Sequence, residues 1–324
     1  MIILADTDLT RSNPGWINND SGTYAKDNAL FLKVFSGEVL TAFDEVNIAK
    51  DLHQMRTIDH GKSASFPVMG KATARYHTPG TAILGSNQIK HNERIINIDD
   101  LLIADVAIYD LDDAKNHYDV RQEYSRQLGF ALAREFDKKV FRVACLAARS
   151  QGCISDEPGG TVLTNANYAT DGEKLASGIF KCAQTWDEKD VLEWDRSIVV
   201  RPAQYYLLAE TTKVLNRDWG ASGVYAEGKV LKVAGVQILK SNNVPSTNVA
   251  AVAGENNTYS GDFSNTVAIA LQRGAVGTVK LKDLSVQQSG SDFNIMYQST
   301  MMVAKYAMGH GILRPACAIE LVTA

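Results

Sequence analysis

Tyr118-Asp-Val-Arg-Gln-Glu-Tyr-Ser-Arg-Gln-Leu-Gly-Phe-Ala-Leu-Ala-Arg-Glu-Phe-Asp-Lys-Lys-Val-Phe-Arg-Val-Ala-Cys-Leu-Ala-Ala-Arg149 organises the rest of the chain. Its apolar positions Val120, Tyr124, Leu128, Ala131, Phe136, Val140, Val143 and Ala147 recur mostly every three or four residues, and Leu132 bridges the one step of five. That is the helical period. At 1.5 Å per residue such a helix spans about 48 Å, roughly three times the average. It reads as a strut. Arg134, Lys138, Arg142 and Arg149 follow roughly along one face, and the stretch carries seven basic and four acidic side chains.

Upstream of the strut lies an acid-rich bend through Asp99, Asp100, Asp110, Asp112 and Asp113, preceded by a strand at Ile95-Ile96-Asn97-Ile98. Residues 53–98 are rich in β-branched and small side chains, and Pro67, Gly70, Pro79, Gly80 and Gly85 divide them into extended pieces. A segment this long without helices is uncommon inside a compact domain and is normally functional, so it reads as a projecting hairpin. Residues 1–25 are polar and turn-rich, and 26–43 carry an apolar helical pattern broken near Gly37. Downstream, a helix is expected over 172–190, strands at 196–201, 230–239 (broken at Gly235), 267–271, 276–286, 293–308 and 316–322, and a helix from Ala203 to about Thr211. Residues 241–266 read as loop.

The chain has 324 residues, 45% hydrophobic and 22% charged, enough apolar material for a real core. The net charge of -4 argues against a strongly basic nucleic-acid binder. The charge is unevenly placed. Residues 1–60 hold five basic and nine acidic side chains, whereas 61–95 hold Lys62, Lys71, Arg75, Lys90 and Arg94 against Glu93 alone. Four cysteines without a CxxC pair or a zinc spacing give neither a disulfide framework nor a metal site. There is no signal-peptide pattern and no run of eighteen apolar residues, so no membrane partner is expected.

Catalytic motifs fail one by one. Gly61-Lys62-Ser63 lacks the upstream glycine of a phosphate loop, since that position is Arg56. Gly309-His310-Gly311 lacks the third glycine of a dinucleotide fingerprint and reads as a turn. The six histidines are scattered, and the aspartates near 110–113 suit a helix start better than a metal. No cofactor is expected. What remains is an acidic arm, a basic hairpin, a strut and a mixed domain, which are parts for touching other chains.

Several stretches resemble the major capsid proteins of T7-like short-tailed phages. Ala29-Leu-Phe-Leu-Lys-Val-Phe-Ser-Gly-Glu-Val-Leu-Thr-Ala-Phe43, Gly61-Lys-Ser-Ala-Ser-Phe-Pro-Val68, Asp99-Asp-Leu-Leu-Ile-Ala-Asp-Val106, Asn116-His-Tyr-Asp-Val-Arg121, Arg273-Gly-Ala-Val-Gly-Thr-Val-Lys-Leu-Lys-Asp-Leu284 and Lys305-Tyr-Ala-Met-Gly-His-Gly-Ile-Leu-Arg-Pro315 carry the likeness. Gly235-Val-Gln-Ile-Leu-Lys-Ser-Asn-Asn-Val-Pro245 is similar to a segment widespread in tailed-phage capsid proteins.

The resemblance implies an α+β, HK97-like capsid fold. Residues 1–53 would be the N-arm and 54–95 the E-loop. Residues 96–154 and 266–324 would form the peripheral domain, with the spine helix at about 111–149, and 155–265 the axial domain. It implies a non-enzymatic protein that self-assembles into an icosahedral shell, T=7, of hexamers and pentamers around double-stranded DNA, made in the bacterial cytoplasm. A separate transient scaffolding protein and a portal at one vertex would be partners, and no E-loop crosslink is expected. Lys62, Lys71, Arg75, Lys90 and Arg94 are the expected E-loop contacts to a neighbour, with Asp99, Asp100, Asp112 and Asp113 as acidic partners. Arg134, Lys138, Arg142 and Arg149 are expected to face DNA through sequence-blind phosphate contacts. Two other readings stand beside this one: an encapsulin-like cellular compartment of the same fold, and an enzyme of mixed fold without a catalytic constellation.

Overall fold

The computed structural model describes residues 47–109, 120–211 and 232–324, apart from Leu84, Ser86 and Asn87. The arm helix at 26–43, the first residues of the expected spine, Asp112 and Asp113 lie outside the described residues.

The described chain forms two compact units. The first holds 101–134 and 282–306; the second holds 48–100, 135–281 and 307–324. Secondary structure begins with strands β1 (Gln54–Thr57), β2 (Ser63–Met69), β3 (His91–Asn97) and β4 (Leu102–Tyr109). Helix α1 (Val120–Arg149) follows, 30 residues long, as the 3.6-residue period requires. Its residues between Tyr124 and Arg134 alternate buried and exposed faces, whereas from Lys139 to Ala148 nearly every side chain is buried. The strut is thus amphipathic at one end and a core helix at the other. Gly160 lets the chain fold back on its C-terminus, because a Cβ there would lie 2.3 Å from the carbonyl oxygens of Ala147 and Ala148.

Next come β5 (Thr161–Thr164), α2 (Gly172–Glu188), β6 (Arg196–Val200) and α3 (Pro202–Glu210). Asp171 caps α2 by accepting from the backbone N–H groups of Glu173 and Lys174, and Pro202 opens α3 at the position where no helical N–H is needed. After them come β7 (Lys232–Val233), β8 (Val236–Lys240), β9 (Asn248–Val249), β10 (Gly261–Asp262), β11 (Thr266–Gln272), β12 (Val276–Gln288), α4 (Ser291–Tyr297), β13 (Ser299–Ile312) and β14 (Ala318–Val322).

In the second unit a six-stranded sheet runs β5-β14-β11-β6-β8-β7. Its central strand β11 is buried at all seven positions, so it is covered on both faces. β11 and β14, both within 266–324, share this sheet with β5, β6 and β8 of 155–265, so the expected boundary at 266 cuts through it. A four-stranded sheet runs β1-β12-β13-β4.

Three local expectations change. The acid-rich bend over 99–113 contains strand β4, whose Leu102, Ala104, Val106 and Ile108 face inward while the alternate positions are exposed. Residues 291–297 form helix α4 rather than the start of a strand, and the chain reverses into β13 at Gln298, which sits in the left-handed region. Gly309-His310-Gly311 is not a turn but lies inside β13. Its glycines make room for β3: a Cβ at 309 would sit 1.8 Å from the Asn97 carbonyl oxygen, and one at 311 would sit 2.7 Å from Ile96.

Candidate subunit-contact surfaces

The projecting hairpin is real. β2 and β3 pair antiparallel from Ser63↔Asn97 to Met69↔His91. Its root is apolar, with Ala64 and Ile96 packing with Ile98, Val279, Ala307 and Leu313. Beyond Gly70 the residues 71–83 are exposed throughout. The tip turns at Thr78-Pro79-Gly80-Thr81, where Thr81 N–H donates to the Thr78 carbonyl at 3.2 Å and Gly80 has φ +89°. Pro second and a left-handed Gly third define a type II turn.

The turn after α1 braces the hairpin's side. Asn92 Nδ2 donates to the Cys153 carbonyl at 3.0 Å, and Arg94 Nη2 donates to the Gln151 carbonyl at 3.2 Å. The Arg94 guanidinium also lies 3.9 Å from Glu157, which accepts from the Cys153 N–H at 2.7 Å. Lys90 binds Ser155 and lies 3.4 Å from Asp156, and Lys71 pairs with Asp190 at 3.3 Å. Three of the five expected E-loop cations therefore hold partners within their own chain. Arg94 is nearly buried and acts on the root, while Lys62 and Arg75 are exposed.

Asp99 was expected to meet a neighbouring subunit. It is instead 6% exposed and internally committed. Tyr259 donates its hydroxyl to Asp99 Oδ2 at 2.6 Å, and the Asn256 N–H and Asn257 Nδ2 each donate to Oδ1 at 3.0 Å. Lys139, itself buried, lies 3.5 Å away. Burial and the neighbouring carboxylate raise the Tyr259 hydroxyl far above the ordinary tyrosine range, so it stays a donor. Asp100 is exposed.

Arg149, expected to face DNA, holds partners within its own chain as well. Its Nε and Nη2 each donate to one carboxylate oxygen of Glu320 at 2.7 Å, its Nη1 donates to the Asp262 carbonyl at 2.6 Å, and its guanidinium stands over Phe263. These contacts close the end of α1, and the Arg149 side chain stays partly exposed. Arg134 is exposed, Arg142 is half-buried, and Lys138 pairs with Glu135 at 2.6 Å.

The buried histidines form a structure that sequence spacing does not reveal. His53 Nδ1 lies 2.6 Å from the Ala49 carbonyl, its Nε2 lies 2.7 Å from Thr278 Oγ1, and that hydroxyl lies 2.7 Å from His310 Nδ1. A carbonyl only accepts, so His53 carries its proton on Nδ1; Thr278 then donates to His53 and accepts from His310. Burial lowers the His53 pKa to about 4 and lowers His310 well below the usual histidine range, with the charges of His53 and Lys139 adding to the latter. Beside them Asp137 accepts from the backbone N–H groups of Ala49 at 3.0 Å and Ile48 at 3.2 Å. Burial raises its pKa to about 6. These groups fasten the chain where the arm enters the fold.

The surfaces left over are extended, exposed and charged, which suits contacts between chains. A family model described as Gp10A-like, major capsid protein, matches residues 65–322. The chain is 36% identical to the major capsid protein of Enterobacteria phage T3, covering 94% of this chain and 95% of that one. It is 34% identical to the major capsid protein of Escherichia phage T7, over 91% and 92% respectively. The capsid structure of cyanophage P-SCSP1u matches with a TM-score of 0.81 and 46% identity, over 98% of this chain and 99% of that one. With its α+β, HK97-like capsid fold, the chain belongs to the Gp10A-like family of major capsid proteins.

Proposed function

We propose that this protein builds the icosahedral head, with T=7 geometry, that encloses a phage double-stranded DNA genome. The observation that carries the reading is the end-to-end match, at 46% identity, to a subunit of a solved phage capsid. Identity at this level to phage shell proteins favours a genome container over an encapsulin-like compartment. The protein acts by contact and not by catalysis. Subunits are made in the host cytoplasm and join as hexamers and pentamers, guided by a separate scaffolding protein, with a portal at one vertex. Residues 54–95 act as the E-loop, α1 as the spine, and the six-stranded sheet as the heart of the axial domain.

The exposed Lys62 and Arg75, with Lys71 and Lys90 exchanging their weak internal pairs, lie against acidic surface of a neighbour that includes Asp100, Asp112 and Asp113. Arg134, Lys138 and Arg142 face packaged DNA. Exposed pairs such as Lys71–Asp190 are worth under about 1 kcal/mol, so they release readily. Each contact in a shell need be worth only a few kcal/mol, since about 1.4 kcal/mol is already tenfold and the contact repeats around a closed surface. Electron microscopy of the protein co-expressed with its scaffolding partner tests this: closed shells are expected, and a small soluble oligomer alone would contradict it.

A further inference from the structure

Residues 48–57 are held by few contacts, and two of their anchors are ionisable. Between these positions Ala49 and His53 alone are buried. Strand β1 lies at the edge of its sheet, pairs with β12 and exposes all four side chains. A segment with so little buried surface opens at lower cost than the core behind it, where β11 is buried throughout. At one end the Ile48 and Ala49 N–H groups donate to Asp137 on α1. Further on, His53 donates to the Ala49 carbonyl and accepts from Thr278 on β12.

Neither anchor is bonded to an opposite charge. Besides the two backbone groups, Asp137 accepts from Asn243 Nδ2 at 3.2 Å. His53 sits between the carbonyl, the hydroxyl and the Phe136 ring, whose centroid lies 5.6 Å away. A charge buried without a partner is costly, so each group is held toward its neutral form. For the carboxyl that means keeping a proton, and for the imidazole refusing one. The hydrogen-bond chain adds to this. A second proton on His53, at Nε2, would take from the Thr278 hydroxyl its acceptor, while His310 already donates to the same oxygen. Burial shifts run the same way, Asp137 up to about 6 and His53 down to about 4. The other charges around His53 are Asp51 on its own element, which favours its proton, and Arg273, which opposes it; Lys139 stands beyond His310.

We propose that residues 48–57 form a clip that opens ahead of the rest of the fold, and that His53 and Asp137 drive this opening in opposite directions as pH falls. Opening hydrates both groups. Acid then favours the open clip through His53, which charges readily only in water, and the closed clip through Asp137, which binds its proton more tightly there. The two effects keep closure of the junction nearly level over a broad pH range. Just past the clip, Ile58 packs against the E-loop root, so the same device secures the base of that hairpin. The inference does not rest on the shell reading.

Hydrogen exchange of the unassembled full-length protein at pH 7 and pH 5, corrected for the intrinsic rate at each pH, reads the opening directly. With ordinary values of 6.5 and 3.8 in the open clip, His53 alone favours opening about twentyfold at pH 5 over pH 7, and Asp137 alone opposes it about tenfold. In the wild type, opening of 48–57 is therefore expected to change by less than about threefold. In Asp137→Asn it should rise about twentyfold on acidification, and in His53→Gln it should fall about tenfold. Amides of α1 from 139 to 148 and of β11 should stay protected in all three proteins at both pH values. Exchange at 48–57 no faster than in those core amides overturns the proposal. So does an unchanged pH response in Asp137→Asn, or a shift of both variants in the same direction. Should His53→Gln lack core protection at pH 7, the comparison of Asp137→Asn with wild type decides alone.

Discussion

Arg149 and Glu320, 171 residues apart in sequence, meet as a two-pronged ion pair with both nitrogen–oxygen distances at 2.7 Å, and Glu320 is wholly buried. The pair joins the end of α1 to β14, and Thr266 on β11 donates to the same carboxylate at 2.6 Å. Because Glu320 is wholly buried and Arg149 is not, removing Arg149 leaves a buried carboxylate without compensation, at a cost of about 3 kcal/mol. Arg149→Ala is expected to lower the unfolding free energy by that order, Glu320→Gln, which leaves a part-exposed guanidinium, by less, and the double variant by less than their sum. Equilibrium unfolding of the unassembled subunit checks this.

Acid acts on the arm junction in two opposing directions. His53 has its pKa lowered to about 4 in the fold, so the unfolded chain takes a proton first as pH falls below about 6.5, and stability is lost down to about 4. That shift is worth roughly 3 kcal/mol. Asp137 has its pKa raised to about 6, so its contribution is fully present below the unfolded value near 3.8 and is lost as pH rises through 6. The two largely offset between pH 4 and 6, and His310, shifted the same way as His53, tips the balance toward acid destabilisation. Asp137→Asn removes the compensating group, so its stability should fall more steeply from pH 6.5 to 4 than that of the wild type. Parallel curves in a pH series of urea titrations would contradict this.

The cations of the E-loop separate by burial. Arg94→Ala removes a root contact to Gln151 and Glu157, and should speed protease cleavage within 71–83 several-fold in the unassembled subunit. Lys62→Glu/Lys71→Glu/Arg75→Glu changes exposed groups only, so the thermal midpoint should stay within about 1–2 °C while shells fail or misform. Normal shells from the triple variant would sink the proposed E-loop contact.

Neutralising Arg134, Lys138 and Arg142 to Gln should reduce DNA retained after packaging and leave empty-shell yield unchanged. Unchanged packaging would remove α1 from the DNA-facing surface.

The sequence made the skeleton legible where periodicity was strong. The strut expected over 118–149 is α1 at 120–149, and the break at Gly235 is the turn between β7 and β8, with Ala234 and Gly235 both at positive φ. It misled where charge masked periodicity. The aspartates around β4 drew attention from its alternation of Leu102, Ala104, Val106 and Ile108. Four-residue strands such as β1 and β5 are too short to show a period and exist because β12 and β14 pair with them. The fates of Asp99 and Arg149 were closed to sequence reading for another reason. Asp99 looks like a surface charge, and Arg149 like an unengaged one, until Tyr259 and Glu320, some 160 and 171 residues away, are folded against them. The His53–Thr278–His310 chain joins residues 225 and 32 positions apart, again beyond any local spacing.

The central claim is that this chain closes into a shell whose subunits grip one another through the exposed E-loop. A cryo-electron microscopy reconstruction of particles assembled from the full chain with its scaffolding partner tests it most directly. The account predicts an icosahedral lattice of hexamers and pentamers, with density for residues 70–90 lying on an adjacent subunit. Particles without icosahedral order, or a shell in which residues 70–90 touch only their own subunit, would contradict it.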